Sequence, residues 1–264
     1  MPIDNSIASK PHSAIGHRLH SHRHTALLIA IIALLGARPL IGESSVATAV
    51  FSVAITLVLV IALYTIQVDE LVGDRERLLH HRKHRGALGW MLAIIAIAFR
   101  LGDIFSPSHQ LVTASSIALL FFFLFVAITE LRGVLKHKIV TRETISMSIS
   151  IYLLLGLTWG FLFIVLFDFQ PRAFSFGGAA PSEQQVTPVL VYFSLTTLAT
   201  VGYGDITPLT MQARYAAVSE GIAGQFYLAI LVARLVSMQM SQSASQSANP
   251  ETRDRDNNQS DSED

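Results

Sequence analysis

The sequence lacks cysteine and has few charged residues. The absence of cysteine excludes disulfide bonds and thiolate metal sites. Charged residues make up only 14% of the 264 residues, whereas soluble domains carry about a quarter. Hydrophobic residues make up 51%, which favours a membrane protein. The exposed segments contain no nucleophile–base set and no phosphate-binding loop, and the net charge is zero. We therefore expect neither enzymatic activity nor a nucleic-acid partner.

Long apolar runs recur along the chain. A helix needs about 20 mainly apolar residues to cross the hydrocarbon core of a bilayer. Six stretches approach that length, at residues 25–42, 45–67, 86–104, 111–132, 146–168 and 208–238. They predict an all-α membrane protein with six transmembrane helices.

The basic residues are distributed unevenly between the predicted loops. Lysine and arginine concentrate on the cytoplasmic side of membrane proteins. If both termini are cytoplasmic, only four of the 19 basic residues fall outside, namely Arg38, Arg100, Arg172 and Arg214. This asymmetry predicts a multi-pass protein of the plasma (inner) membrane with cytoplasmic termini. Residues 111–129 contain no basic residue, which argues against voltage sensing by the fourth helix.

A short segment between the last two long runs interrupts the helical pattern. Residues 169–187 are rich in glycine, proline and polar residues and predict an outer loop. Thr187-Pro188 has the cap-then-proline pattern of a helix start. Residues 188–199 would then form a helix of about 18 Å, which is too short to cross. We therefore predict a re-entrant segment with a short helix between the fifth and sixth transmembrane helices.

The sequence TVGYG follows at residues 200–204. Non-helical backbone at membrane depth is tolerated only where it is buried in protein or lines a polar cavity, so its carbonyl groups need a partner. A cation is such a partner. Successive carbonyls can face one axis if the backbone alternates between right- and left-handed conformations, and Gly202 and Gly204 permit this at little steric cost.

This segment resembles the selectivity filter of potassium channels, a family that serves as a standard example of selectivity by carbonyl rings. The resemblance covers about residues 146–238. It implies a homotetramer in membrane lipid, since four filter segments surround one pore, and K+ as permeant ion without another cofactor. The residues that it implies for K+ binding are Thr200, Val201, Gly202, Tyr203 and Gly204, with Asp205 at the outer mouth.

Other candidate residues flank the filter. Many members of the family carry tryptophans on the pore helix where this chain has Tyr192 and Phe193. Gly221 and Gly224 are candidates either for a gating hinge or for close helix packing. Glu220 could line the cavity or pair with hydroxyls of the pore helix. The predicted support residues of the filter are Tyr192, Thr196, Thr197 and Glu220.

The predicted domain organisation has five parts. These are a cytoplasmic His-rich segment at 1–24, a four-helix transmembrane domain at 25–132, a cytoplasmic linker at 133–145, a pore domain at 146–238 and a disordered cytoplasmic tail at 239–264. Within the pore domain we expect the pore helix at 188–199, the filter at 200–204 and the inner helix at 208–238. The histidine clusters leave metal binding, pH sensing and lipid contact open.

The predicted function is passive, potassium-selective conduction through a tetrameric pore. Two alternatives remain open at this point. One is a nonselective cation channel with a related filter. The other is a potassium transporter, or a regulatory pore subunit that requires an unidentified partner chain.

Overall fold

The computed structural model describes residues 23–41, 45–72, 79–105, 108–136, 140–178 and 180–247. Within these residues the chain is mostly helical. The helices are α1 Arg23–Ile41, α2 Ser45–Val72, α3 Leu79–Phe105, α4 His109–Lys136, α5 Arg142–Phe169, α6 Glu183–Leu198 and α7 Met211–Ser247. Two short strands, β1 Phe174–Phe176 and β2 Ile206–Pro208, flank α6 along the chain.

The first four helices pack side by side and join the rest of the fold through α5. Helix α5 packs against α1, α4 and α6, and α7 packs mainly against α6 and α5. At the centre Phe122 and Phe123 of α4 are fully buried. The ring of Phe123 stacks on Phe161 of α5 with centroids 5.5 Å apart. This aromatic contact joins the four-helix part to α5, the helix against which α6 packs.

Three of the described helices are long and apolar enough to cross a membrane, within His109–Leu135, Arg142–Phe169 and Met211–Ser241. The apolar parts of the first three helices, at His24–Ala37, Val50–Thr65 and Ala87–Gly102, are shorter. The predicted mostly helical, membrane-type fold is therefore confirmed. Six crossings stay a prediction.

Besides the helices that the sequence predicts, β1 and β2 pair as a small antiparallel sheet. Phe174 lies opposite Pro208, and Phe176 lies opposite Ile206. The sheet is extended by the amide of Gly177, which donates to the carbonyl of Asp205 at 2.6 Å. Strands of three residues leave little periodic signal in a sequence. The sheet joins the loop between α5 and α6 to the chain that follows the TVGYG segment.

The helix around Pro188 begins earlier than the sequence predicts. The predicted start at Thr187-Pro188 is wrong, because α6 runs from Glu183 and Ser182 is its N-cap. The Gln185 side chain accepts a hydrogen bond from the Ser182 backbone amide at 3.0 Å, as in one half of a capping box. Pro188 lies inside the helix instead of opening it. The helix is thus longer than expected by more than one turn.

The last helix differs from its predicted bounds at both ends. Residues 206–208 form β2, and Thr210 caps α7 by accepting from the Ala213 amide at 3.4 Å. The helix therefore begins later than the predicted residue 208. At the other end α7 continues past residue 238 to Ser247, so the first part of the predicted tail is helical. Residues 248–264, and residues 1–22 of the N-terminal segment, lie outside the described residues.

Candidate ion-binding segment

Two glycines of α5 allow α6 to lie unusually close. A Cβ atom at Gly160 would lie 3.1 Å from the Cα of Val191, and one at Gly156 would lie 2.7 Å from Cδ2 of Leu195. The two glycines are four residues apart and so share one face of the helix. Small residues at this spacing are typical of close helix contacts in membranes. Sequence reasoning missed this pair, although the spacing Gly-x-x-x-Gly is visible in the sequence.

The TVGYG segment begins where α6 ends, and its first amides are bound to the last carbonyls of that helix. The amide of Thr200 donates to the carbonyl of Thr197 at 2.9 Å. The carbonyl of Thr196 accepts from the amides of Val201 at 2.8 Å and of Gly202 at 3.2 Å. Thr196 and Thr197 thus support the segment through backbone oxygens. The Thr196 hydroxyl donates within its own helix, to Phe193.

The backbone of the segment takes left-handed values at every second residue. The φ angles of Thr200, Gly202 and Gly204 are 58°, 53° and 81°. Val201 and Tyr203, which lie between them, are absent from the positive region. This is the alternation that the two glycines predict. It begins two residues before Gly202, at Thr200. A left-handed conformation costs a residue with a Cβ about 1–2 kcal/mol.

The carbonyl oxygens of the same residues are left without protein donors. Among the described residues, none donates a hydrogen bond to the carbonyls of Thr200, Val201, Gly202 or Tyr203. The side chains of Val201 and Tyr203 are 52% and 72% exposed in the single chain. The segment therefore has carbonyl oxygens that are available as ligands, and its Val201 and Tyr203 side chains are largely exposed in the single chain.

A side-chain hydrogen bond joins the residue after the TVGYG segment to α6. The hydroxyl of Tyr192 donates to Oδ2 of Asp205 at 3.0 Å. Desolvation and this hydrogen bond hold the pKa of Tyr192 above its ordinary value, so the hydroxyl remains a donor. Tyrosine here supplies a donor at a position where the family often has tryptophan. Phe193 does not share this role, because it is buried against Phe163 and Phe174 with centroids 5.0 and 5.5 Å away.

Helix α7 contacts the end of α6 through small residues. A Cβ atom at Gly224 would lie 2.6 Å from the carbonyl oxygen of Leu198, whereas one at Gly221 would meet only the Thr197 oxygen at 3.9 Å. The Leu198 carbonyl also accepts from the hydroxyl of Tyr152 at 3.2 Å. Close packing therefore accounts for Gly224. A hinge role for either glycine stays a prediction.

Glu220 is fully buried and faces α6, as one of the two sequence interpretations expects. Its partner is different from the predicted Thr196 and Thr197. Glu220 Oε1 lies at hydrogen-bond distance from the hydroxyl of Ser194, which is itself 2.6 Å from the carbonyl oxygen of Gly156. Ser194 was missed because a serine within an apolar helix gives no sequence signal of its own.

The comparison with protein families agrees with this geometry. Residues 151–241 match the family model described as "Ion channel". The chain carries an ion channel domain. The match covers α6, the TVGYG segment and most of α5 and α7, and it leaves the first four helices unassigned. No curated protein and no solved structure matches the chain.

Two polar contacts involve α4, one with α7 and one with α1. The guanidinium of Arg234 on α7 donates to the carbonyl of Leu135 near the end of α4 at 2.6 Å. His24 of α1 and Glu130 of α4 form a buried pair, with Nδ1 and Oε2 3.2 Å apart. The part of the chain that the structure describes holds no cluster of three or more metal-ligating side chains. His12, His17, His20 and His22 lie outside it, as do the side chains of His80, His81 and His84.

Proposed function

We propose that the chain is one subunit of a potassium-selective channel, with the TVGYG segment as its selectivity filter. The observation that carries the proposal is that the amides and the carbonyls of the filter backbone differ in their hydrogen bonds. Its first amides are bound to the end of α6, whereas its carbonyls from Thr200 to Tyr203 accept no hydrogen bond from the described residues. Carbonyl oxygens in this state can replace the hydration shell of a potassium ion. K+ is the permeant ion and the filter its path.

Assembly as a homotetramer follows from the number of filter segments. One chain supplies one such segment, and a ring of carbonyls needs four. Closed rings of identical subunits are a common form of homo-oligomer. The exposed side chains of Val201 and Tyr203 support this assembly, because neighbouring subunits would cover them. Of the three candidate spans, Met211–Ser241 is buried least within the single chain, with 11% of its most apolar window covered. This helix would line the pore and meet its copies.

The arrangement in the membrane follows from the same reasoning. We propose that α6 is a re-entrant pore helix, that the chain crosses the membrane six times, and that both termini are cytoplasmic. Between Leu111 and Thr129 the fourth helix carries no basic residue, so the field across the membrane would have no charge to act on there. The gating stimulus would therefore act elsewhere. We expect no enzymatic activity and no bound cofactor.

The test is potassium against sodium flux into liposomes that contain the purified protein. The wild type should pass potassium in strong preference to sodium. Gly202→Ala should abolish the preference, because φ at this residue is +53° and alanine strains there. The cost is about 1–2 kcal/mol per chain, or about 4–8 kcal/mol for four chains.

Gly178→Ala is the matched control. Gly178 lies in the outer loop, has no left-handed φ, and has open space where a Cβ would be placed. This variant should keep wild-type selectivity. Selective flux through Gly202→Ala would show that the filter is misassigned. Equal flux of both ions through the wild type would favour a nonselective cation channel, and flux only with an added partner chain would favour a regulatory subunit.

A further inference from the structure

Three buried oxygen atoms form a row across the three helices of the ion channel domain. The carbonyl oxygen of Gly156 belongs to α5, the hydroxyl of Ser194 to α6 and the carboxyl of Glu220 to α7. The Ser194 oxygen lies 2.6 Å from the Gly156 oxygen and at hydrogen-bond distance from Glu220 Oε1. Ser194 and Glu220 are both fully buried. The row is therefore a polar link between all three helices inside an apolar core.

The number of hydrogens in the row determines which atom donates. A carbonyl oxygen only accepts, and a serine hydroxyl has one hydrogen to donate. An ionised Glu220 also only accepts, so Ser194 would lie between two acceptors with one hydrogen. One of the two oxygen contacts would then hold no hydrogen. If Glu220 is protonated, it donates to Ser194, and Ser194 donates to Gly156. Both contacts are then hydrogen bonds.

The surroundings of Glu220 also favour the neutral form. Within the described residues no basic side chain forms an ion pair with Glu220, and its Oε2 has no hydrogen-bond partner there. Among the described residues, Tyr152 of α5 is a titratable group near enough to interact electrostatically with Glu220. On α6 Tyr192 is directed to Asp205 instead. A buried carboxylate without a countercharge is strongly disfavoured, whereas a neutral carboxyl that donates one hydrogen bond is tolerated.

We propose that Glu220 is a protonated positioning residue that fixes the pore helix between the outer and inner helices through Ser194. The proposal rests on the proposed function insofar as the pore helix carries the filter. The positioning effect would arise from proximity. The filter begins at the end of α6, and its first amides donate to the carbonyls of Thr196 and Thr197. A shift of α6 between its neighbours would move those carbonyls, and with them the ion-binding oxygens. Glu220 touches no ion and acts only through Ser194.

The protonation state can be measured without any conduction. Infrared spectra of the purified protein in liposomes at neutral pH should contain the C=O stretching band of a protonated carboxyl that disappears in Glu220→Gln. If Glu220→Gln instead loses the bands of an ionised carboxylate, the proposal is wrong. Because this readout needs no ion flux, it is decided independently of the proposed function. A wild type without potassium flux would contradict the proposed function, and the infrared spectra would still determine whether Glu220 is protonated.

The positioning role is tested by substitutions that keep or remove the donor. Glu220→Gln keeps a neutral donor and should retain wild-type potassium selectivity. Glu220→Ala and Ser194→Ala remove one member of the row and should each lower selective flux about tenfold, as expected for one buried group left unsatisfied. Ser219→Ala is the control, since the Ser219 hydroxyl is exposed and donates only within α7. If Glu220→Gln loses as much selective potassium flux as Glu220→Ala, the negative charge of Glu220 is required and the proposal is wrong.

Discussion

Gly224 and Gly221 offer a test of why glycine occurs in the inner helix. Both lie on α7 beside the end of α6, yet only Gly224 is in close contact. A Cβ added at Gly224 would lie 2.6 Å from the Leu198 carbonyl oxygen and 2.8 Å from Leu198 Cδ1. Real Cβ atoms essentially never approach closer than 3.0 Å, so something must shift. At Gly221 the nearest atom, the Thr197 oxygen, would be 3.9 Å away, which is ordinary contact.

The magnitude follows from the difference between the two alanine variants. Each replaces a helical glycine and gains about 1 kcal/mol of helix propensity, which cancels in the comparison. Overpacking at a tight site costs about 1–3 kcal/mol. The obstacle at Gly224 includes a backbone carbonyl that also holds the Tyr152 hydroxyl, so it cannot move freely. We expect the free energy of unfolding of Gly224→Ala to be about 1–3 kcal/mol below that of Gly221→Ala.

The assay is denaturant unfolding of the two purified variants in the same detergent, followed by circular dichroism. A second readout is the potassium current of each variant in planar bilayers. Gly224→Ala should lose both stability and current, because the displaced Leu198 carbonyl adjoins the filter. Gly221→Ala should be at least as stable as the wild type. Equal unfolding free energies with a change of current in Gly224→Ala alone would refute packing and favour a hinge.

Two further predictions concern the surroundings of the filter. Tyr192→Phe removes the donor to Asp205 and should shorten the time for which the filter conducts, with little change in stability because the pair is exposed. Because the pKa of Tyr192 is raised above its ordinary value of 10.0, the hydroxyl stays protonated at that pH, so the link should persist from neutral pH to pH 10 and be lost only at higher pH. Gly160→Ala should lower stability by about 1–2 kcal/mol, because the Val191 Cα atom in its way is backbone. Gly156→Ala should cost less, since its closest contact is the flexible end of the Leu195 side chain and no backbone atom is among the nearest atoms.

Each of these two predictions has a clear contrary result. Tyr215→Phe, at an exposed tyrosine of α7, is the control for Tyr192→Phe and should conduct like the wild type. If both variants behave alike in single-channel recordings, the hydrogen bond to Asp205 has no role in conduction. For the glycine pair the measurement is denaturant unfolding. A larger loss at Gly156 than at Gly160 would contradict the packing argument.

The helices were predictable because their signal is extended along the chain. A run of about 20 apolar residues has few other interpretations, and each of the six predicted stretches lies largely within a described helix. The errors in the predicted bounds occur at helix ends, because single capping residues determine where a helix begins or ends. Thr187-Pro188 has the pattern of a helix start, yet a cap at Ser182 with Gln185 precedes it and shifts Pro188 into the helix. Local patterns compete at such positions, and the sequence alone does not rank them.

The site divides in the same way. The alternating conformation of TVGYG was predictable, because only glycine takes positive φ at little cost and two glycines lie two residues apart. The side-chain contacts behind the filter were not predictable from the sequence. Ser194 with Glu220, and Tyr192 with Asp205, join residues that are 26 and 13 positions apart. Such pairs depend on how the helices are rotated in the packed domain, and composition and spacing carry no information on that.

The central claim, potassium selectivity of the TVGYG filter, is tested most directly by one reversal-potential measurement. The purified wild-type protein is placed in a planar bilayer with potassium chloride on one side and sodium chloride on the other. Currents should occur in steps and should reverse far from zero, at the sign set by potassium. Currents that reverse near zero would contradict potassium selectivity.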